Sequence, residues 1–288
     1  MKRIIRRFVG NLNGSKRYIF YASLALICIV AICLGIYAQF YYKYSDTDVL
    51  MLGNIGSEKT AEEIALLKTK FNELFENKLY NDNEDISVDK KDYSMNIVYT
   101  NYNLVNEDEN YYSVNVQIPM INIDTSTVSE INSKIKTEFY DKAYNIMRKT
   151  EGNTIYTVSW VGYINGDILS LAIKSSLKEE GKAERVGVRT YNYDLKGGKL
   201  VNLSDLIKLK ETTVNKVQSI INSDIKQAYN NAKIIAVEYG TLYERDLSSD
   251  IYKVENAENF FLTQDGNVYI VYAYGNNDYT NEMDIIIF

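Results

Sequence analysis

Apolar positions along this 288-residue chain fall into three regimes. From Tyr18 to Tyr42 there are 25 residues without a charge, centred on an unbroken run from Leu24 to Leu34. Elsewhere apolar residues recur at i, i+3 and i+4, the helical period, or in short β-branched and aromatic runs of strand length. The helical stretches are three. Ile64, Leu67, Phe71, Leu74, Phe75 and Leu79 form a stripe behind a Ser57 cap and the acidic turn Glu62-Glu63. Val128, Ile131, Ile135, Phe139, Ala143 and Ile146 form a second over 127–149, opened by the capping-box match Thr127-x-x-Glu130. Thr213 opens a third, through Val217, Ile220, Ile221 and Ile225 to about Asn230, with helix and then loop expected over 232–258.

Between them lie the strand runs. Tyr93–Val105 and Tyr111–Ile118 flank an acidic loop at 106–110, with Pro119, the only proline, closing the second strand. Thr154–Ile164 and Ile168–Leu177 flank Asn165-Gly166, a strong short-hairpin signal. Val186–Asp194 continues the sheet into a Gly197-Gly198 turn, and Ser204 caps a short helical turn at 205–207. Phe260–Leu262 and Val268–Tyr274 form a hairpin about Asp265-Gly266; 275–282 is a polar loop and Met283–Phe288 a closing strand. Hairpins interleaved with amphipathic helices predict an α+β fold, antiparallel sheets with helices packed on one face, not a doubly wound parallel one.

This pattern divides the chain into a basic tail (1–17), a membrane span (18–42), a helical stalk or linker (43–91), a first α+β subdomain (92–150) and a second (151–288). At 1.5 Å per residue the uncharged run spans a hydrocarbon core of roughly 30 Å. Leu26, Ile29 and Leu34 occupy its centre, with Tyr18 and Tyr41 in the aromatic belts at its ends. A cleaved signal peptide, with Ala38 before the cut, is the rival reading, but the run exceeds the 7–15 apolar residues usual there. The tail interleaves Ile4, Ile5, Phe8, Val9 and Leu12 with six basic residues and no acid, as an amphipathic helix on an anionic leaflet does.

Charge sharpens the topology. The chain carries −6 overall, but the tail is +6 and residues 43–288 carry −12. Basic residues stay cytoplasmic, so the acidic part is expected outside the cell membrane. An acidic outer domain argues against nucleic acid and against holding the bare anionic cell wall through charge, and favours a cationic extracellular protein; a cell-wall component and the bilayer itself are the other partners expected. There is no His, which removes Ser-His and Cys-His nucleophile pairs and imidazole metal sites. Cys28 and Cys33 both lie in the span and are off a common helical face, so no disulfide or thiol chemistry is expected outside. No cofactor and no bound metal are expected.

The remaining chemistry is carried by tyrosine and acid. Tyr numbers 26, and Tyr supplies rigid amphipathic contact area. By period two Ile270, Tyr272 and Tyr274 share one side of the last hairpin, beside the polar loop holding Asp278 and Tyr279. Glu282 and Asp284 follow two apart. These six (Tyr272, Tyr274, Asp278, Tyr279, Glu282, Asp284) are the candidate ligand-binding residues. The carboxylates read first as a solvated acidic edge; acid–base work and a Ca²⁺ site from Asp278, Glu282 and Asp284 are the alternatives.

Three blocks carry a family resemblance. They are Ile118-Pro119-Met120-Ile121 with Ile131-Asn132-x-x-Ile135; Asp167–Leu171 with Tyr191–Leu195, Gly198-Lys199 and Leu203–Leu206; and Asn259–Leu262 with Asp265–Ile270 and Tyr272–Tyr274. Over 93–288 the chain resembles the paired extracellular domains of RsiV-type anti-sigma factors and the accessory region of PdaC-type peptidoglycan deacetylases. The resemblance implies a membrane-anchored outer binding fold in a Gram-positive envelope. The His- and Asp-bearing catalytic domain of the deacetylases has no counterpart, and Glu179–Ala183 stands where the family pattern carries a Gly-Gly-Ala-His run. The expectation is a single-pass, non-catalytic binding or sensing module. An anti-sigma-type regulator acting through the short tail and a carboxylate-dependent wall-glycan hydrolase are the alternatives.

Overall fold

The computed structural model describes residues 60–81, 86–239 and 242–288. The tail and the span, with Tyr18, Leu26, Ile29, Leu34 and Tyr41, lie outside the described residues. Among those described, no helix is long and apolar enough to cross a membrane.

The architecture is mixed α+β, with antiparallel-rich sheets. Helix α1 (Ala61–Thr69) starts at Thr60, whose hydroxyl accepts from Glu63 N while the Glu63 carboxylate accepts from Thr60 N, a reciprocal cap. It ends earlier than the apolar stripe suggests. A 3₁₀ turn (Phe71–Leu74) follows, and Leu79 belongs to strand β1 (Lys78–Asn81). The stripe's period survives only until Phe71 and Phe75 are buried.

Strands β2 (Val98–Asp108) and β3 (Tyr112–Ile121) form a hairpin, and helices α2 (Ser126–Ile135) and α3 (Asp141–Ile146) follow it, joined by a π-turn (Lys136–Tyr140). Three further strands make a meander: β4 (Thr154–Asn165), β5 (Ile168–Glu179) and β6 (Arg185–Asp194), with the short β7 (Lys199–Leu200) at its edge. All seven strands share one sheet in the order β2-β3-β4-β5-β6-β7, and β1 also pairs with β4. This sheet takes strands from both 92–150 and 151–288. It is not wholly antiparallel. β3 and β1 each run parallel to β4, because the β3-to-β4 connection is a helical crossover and not a tight turn. The β4–β5 turn is the two-residue type the sequence announces, with Gly166 at φ 58° and Asn165 opposite Ile168.

Three local starts differ from expectation: Thr60, not Ser57, caps α1. Thr125, not Thr127, caps α2, since its hydroxyl accepts from Val128 N. Asn202, not Ser204, caps α4 (Leu203–Leu209), in a reciprocal pair with Asp205. Helix α5 (Val214–Tyr239) then runs 26 residues. Strands β8 (Phe260–Leu262), β9 (Val268–Ala273) and β10 (Met283–Ile287) form a second, antiparallel sheet ordered β10-β9-β8.

Helices do not cover one face alone. Val128, Ile131, Ile135, Phe139, Ala143 and Ile146 pack α2–α3 against one face of the large sheet, around Trp160, Tyr156 and Ile118. The other face (Val161, Tyr163, Ala172, Val188) meets Phe71, Phe75 and one side of the small sheet, Phe261, Tyr269, Val271 and Ala273. The small sheet's far side, Ile270, Tyr272, Tyr274 and Ile286, meets Leu206, Val217 and Ile221 of α4 and α5. Strand β9 is therefore buried on both faces, which explains its unbroken apolar sequence. A buried polar bridge joins the sheets: Ser170 Oγ donates to Asn192 Oδ1 (2.6 Å) and accepts from Leu262 N, while Asn192 Nδ2 donates to Phe260 O.

Candidate functional site

The carboxylates singled out in the sequence do not form a solvated edge. Arg245, only 7% exposed, meets Asp284 in a bidentate pair, Nε to Oδ2 at 2.6 Å and Nη2 to Oδ1 at 2.9 Å. Its Nη1 reaches Glu282 Oε2 at 3.3 Å and Tyr243 O at 3.2 Å, while Tyr243 N donates to Glu282 Oε1 at 2.6 Å. Tyr274 donates its hydroxyl to Asp284 Oδ2, and the Tyr252 and Tyr274 hydroxyls stand 2.9 Å apart. The Tyr243 ring stacks on Tyr274 with centroids 4.0 Å apart. Burial disfavours the Arg245 charge, but the Asp284 carboxylate more than offsets it and holds the guanidinium above its usual range. Burial and the neighbouring Asp284 together push the Tyr274 hydroxyl well up, and burial pushes Tyr252 up to about 12.

Arg245 supplies the counter-charge to both carboxylates, which is why the expected solvated acidic edge is a core ion pair instead. Among the described residues no group of three or more acids or thiols is placed to hold a metal. Tyr272 and Tyr274 are 8% and 4% exposed, so the tyrosine side of the hairpin is a core side and not an exposed binding face. Period two assigned the two rings to one side correctly; what it could not show is that α4 and α5 cover it. Arg245, in a stretch without periodicity, is the residue the sequence reading missed.

The loop after β9 has a structural task. Strand β6 pairs with β7 only at Tyr193 and Asp194, leaving the edge at Arg185–Thr190 open. Residues 274–282 cover it: Val186 N donates to Thr280 O, Arg185 donates to Gly275 O (2.9 Å) and Asn276 O (3.0 Å), and Asn276 Nδ2 donates to Val188 O. Asp278 and Tyr279 remain at the surface, and the Tyr279 ring, 55% exposed, has Arg185 at 5.0 Å and Lys182 at 5.5 Å from its centroid. Lys182 belongs to the loop between β5 and β6. It holds Glu179 jointly with Lys149, and both cations keep that carboxyl below its usual range.

A concavity lies elsewhere, between the β2–β3 hairpin and α2. It is a groove of about 310 Å³. Ile118, Ile123 and Ile135 line its floor; Asn101, Ser129, Ser133, Lys91 and Lys136 line its rim; Tyr102 stands in its wall. Three departures from regular structure converge there. The β2–β3 register slips at Asn101 between Thr100 and Tyr102, Pro119 sits opposite the slip, and the π-turn opens at Lys136. Bulges and π-turns redirect side chains and gather at functional places. Here they set Tyr102 against Tyr140 with ring centroids 4.1 Å apart, and Tyr144 continues the row 6.4 Å farther on. Pro119 does not close β3; the strand runs through it to Ile121, and the slip at Asn101 lies beside it.

No protein-family profile matches the chain, and no curated protein matches it. Two solved structures are similar over part of it. One is a DUF3298 family protein from Pseudomonas aeruginosa PAO1, with TM-score 0.35, 11% identity, and 62% of this chain and 82% of that chain covered. The other is a DUF3298 family member from Bacteroides fragilis NCTC 9343, with TM-score 0.32, 10% identity, and 61% and 81% covered. Similarity of this order transfers no function.

Proposed function

We propose that the chain is a single-pass membrane protein whose outer α+β domain is a non-catalytic binding module at the cell envelope. The +6 tail lies in the cytoplasm, residues 18–42 span the bilayer, and the −12 remainder faces outward. The observation that supports binding is the groove beside β2–β3, where a bulge, a proline and a π-turn interrupt regular structure around one concavity. Binding without catalysis fits the use of Asp284 and Glu282, the paired carboxylates, as ligands of Arg245. The extracellular accessory role of the RsiV-type and PdaC-type domains that the sequence resembles agrees with this reading.

The test is topological. In intact cells carrying the full-length chain with a tag at each end, external protease should remove the C-terminal tag and spare the N-terminal one. Protection of both tags, or release of the chain by salt or carbonate washing, contradicts the anchored topology.

A further inference from the structure

The groove's lining carries a charge sign opposite to that of its domain. Residues 43–288 hold 38 Asp+Glu against 26 Lys+Arg, yet the groove is lined by Lys91 and Lys136 and by no carboxylate. Lys136 has Asp141 beside it at 2.9 Å, outside the lining, in a pair whose side chains are 49% and 42% exposed. Such an exposed pair contributes little and releases its lysine readily. A groove kept free of acids in an acidic domain selects for an anion.

Shape and surface chemistry narrow the class. The floor is aliphatic, and the wall presents the half-buried Tyr102 ring, backed by Tyr140 and followed by Tyr144, which is 48% exposed. Hydroxyl and amide groups of Ser129, Ser133 and Asn101 stand exposed on the rim. Asn132 is not free for a ligand, because its amide closes both hydrogen bonds with the Ile121 backbone, Nδ2 to O at 2.8 Å and N to Oδ1 at 2.9 Å. A ligand matched to these walls has an apolar face for tyrosine, a hydroxyl-bearing edge for serine and asparagine, and a negative group for the lysines.

We infer that the groove binds an anionic saccharide, a chain of sugar rings bearing carboxylates, with one ring on Tyr102 and a carboxylate between Lys91 and Lys136. This rests on the binding-module reading above and names the ligand class of that site.

Calorimetric titration of the full-length chain in detergent tests it with three probes: a hyaluronan tetrasaccharide, which alternates uronate and N-acetylhexosamine; neutral N-acetylglucosamine tetramer; and tetraglutamate. The uronate probe should bind at least tenfold more tightly than either other. Lys91→Gln with Lys136→Gln, both exposed and fold-neutral, should bring its affinity down to that of the neutral tetramer. Tyr102→Ala should weaken both saccharides, with Tyr102→Phe retaining them and unchanged circular dichroism certifying the fold. Equal binding of the neutral tetramer, or tighter binding of tetraglutamate, overturns the anionic-saccharide assignment and leaves the groove a binding site. Absence of binding by all three probes overturns the groove as an anionic-saccharide site, while the anchored topology is decided separately by the protease test.

Discussion

Replacing Gly275 by alanine puts a methyl group where the loop after β9 crosses the edge of β6. The added Cβ would stand 2.3 Å from Val186 O, 2.4 Å from Thr280 O and 2.5 Å from Val186 N. All three neighbours are backbone, so no side chain can rotate away; either the loop or β6 has to move. Overpacking of this kind costs about 1–3 kcal/mol. Movement of the loop would also disturb the bonds from Arg185 to Gly275 O and Asn276 O, from Asn276 to Val188 O, and from Val186 N to Thr280 O. At about 1 kcal/mol each, loss of two of these brings the total to roughly 3–5 kcal/mol. For a domain of this size that lowers Tm by on the order of 10 °C. Gly181→Ala is the matched control. It sits at φ 71° with no atom within 4 Å of a built Cβ, so its penalty is conformational only, about 1–2 kcal/mol. Urea and thermal unfolding of both variants measure the difference. A loss below about 1 kcal/mol for Gly275→Ala, or a larger loss for Gly181→Ala, refutes the argument that close approach, and not loop flexibility, demands glycine at 275.

Three more outcomes follow from the buried polar groups. Asp284→Ala leaves Arg245 buried with only Glu282 as a charged partner, so urea unfolding should show a loss of about 3–5 kcal/mol, and Arg245→Met with Asp284→Leu should recover much of it. Ser170→Ala strips a partner from Leu262 N and Asn192 and should cost about 1–3 kcal/mol by the same measurement. Burial raises the hydroxyls of Tyr156, Tyr163, Tyr269, Tyr272 and Tyr274, which favours their neutral form in the folded state. Their contribution to stability is therefore whole below the ordinary tyrosine pKa of about 10 and is lost as pH rises above it. Absorbance at 295 nm should show the exposed tyrosines titrating first and the rest ionising together as the domain unfolds; a single smooth titration of all of them near pH 10 contradicts the burial.

Strand existence was legible wherever the sequence carried its own turn chemistry. The Asn165-Gly166 hairpin and the Asp265-Gly266 turn fall where expected, because a positive φ at Gly166 and Gly266 is a local requirement. The stalk stripe failed at its end because i, i+3, i+4 spacing cannot distinguish a helix continuing past Thr69 from a turn that delivers Phe71 and Phe75 to the same core. The assignment of Tyr272 and Tyr274 to an outer face failed because alternation gives the side of a strand, and only the packing of α4 and α5 gives what that side meets; Glu282 and Asp284 are drawn inward by Arg245, while Asp278 and Tyr279 stay at the surface.

Part of the groove is legible in the spacing of the apolar stripe on the central helix, beyond the amphipathicity that stripe shows. The stripe of the central helix advances from Ile131 to Ile135, Phe139 and Ala143 in three successive steps of four. A regular helix of 3.6 residues per turn would carry such a stripe steadily off the core. The wider turn at Lys136–Tyr140 takes up the excess, and Ile135, Phe139 and Ala143 all stay buried. The same widening places Tyr140 outside that stripe, against Tyr102, whose own position depends on the slip at Asn101 across from Pro119. Spacing of the core side therefore determines the geometry of the exposed side. A stripe restored to 3.6-residue spacing would keep the core yet turn Tyr140 away from Tyr102, so the π-turn belongs to the groove as much as to the packing beneath it.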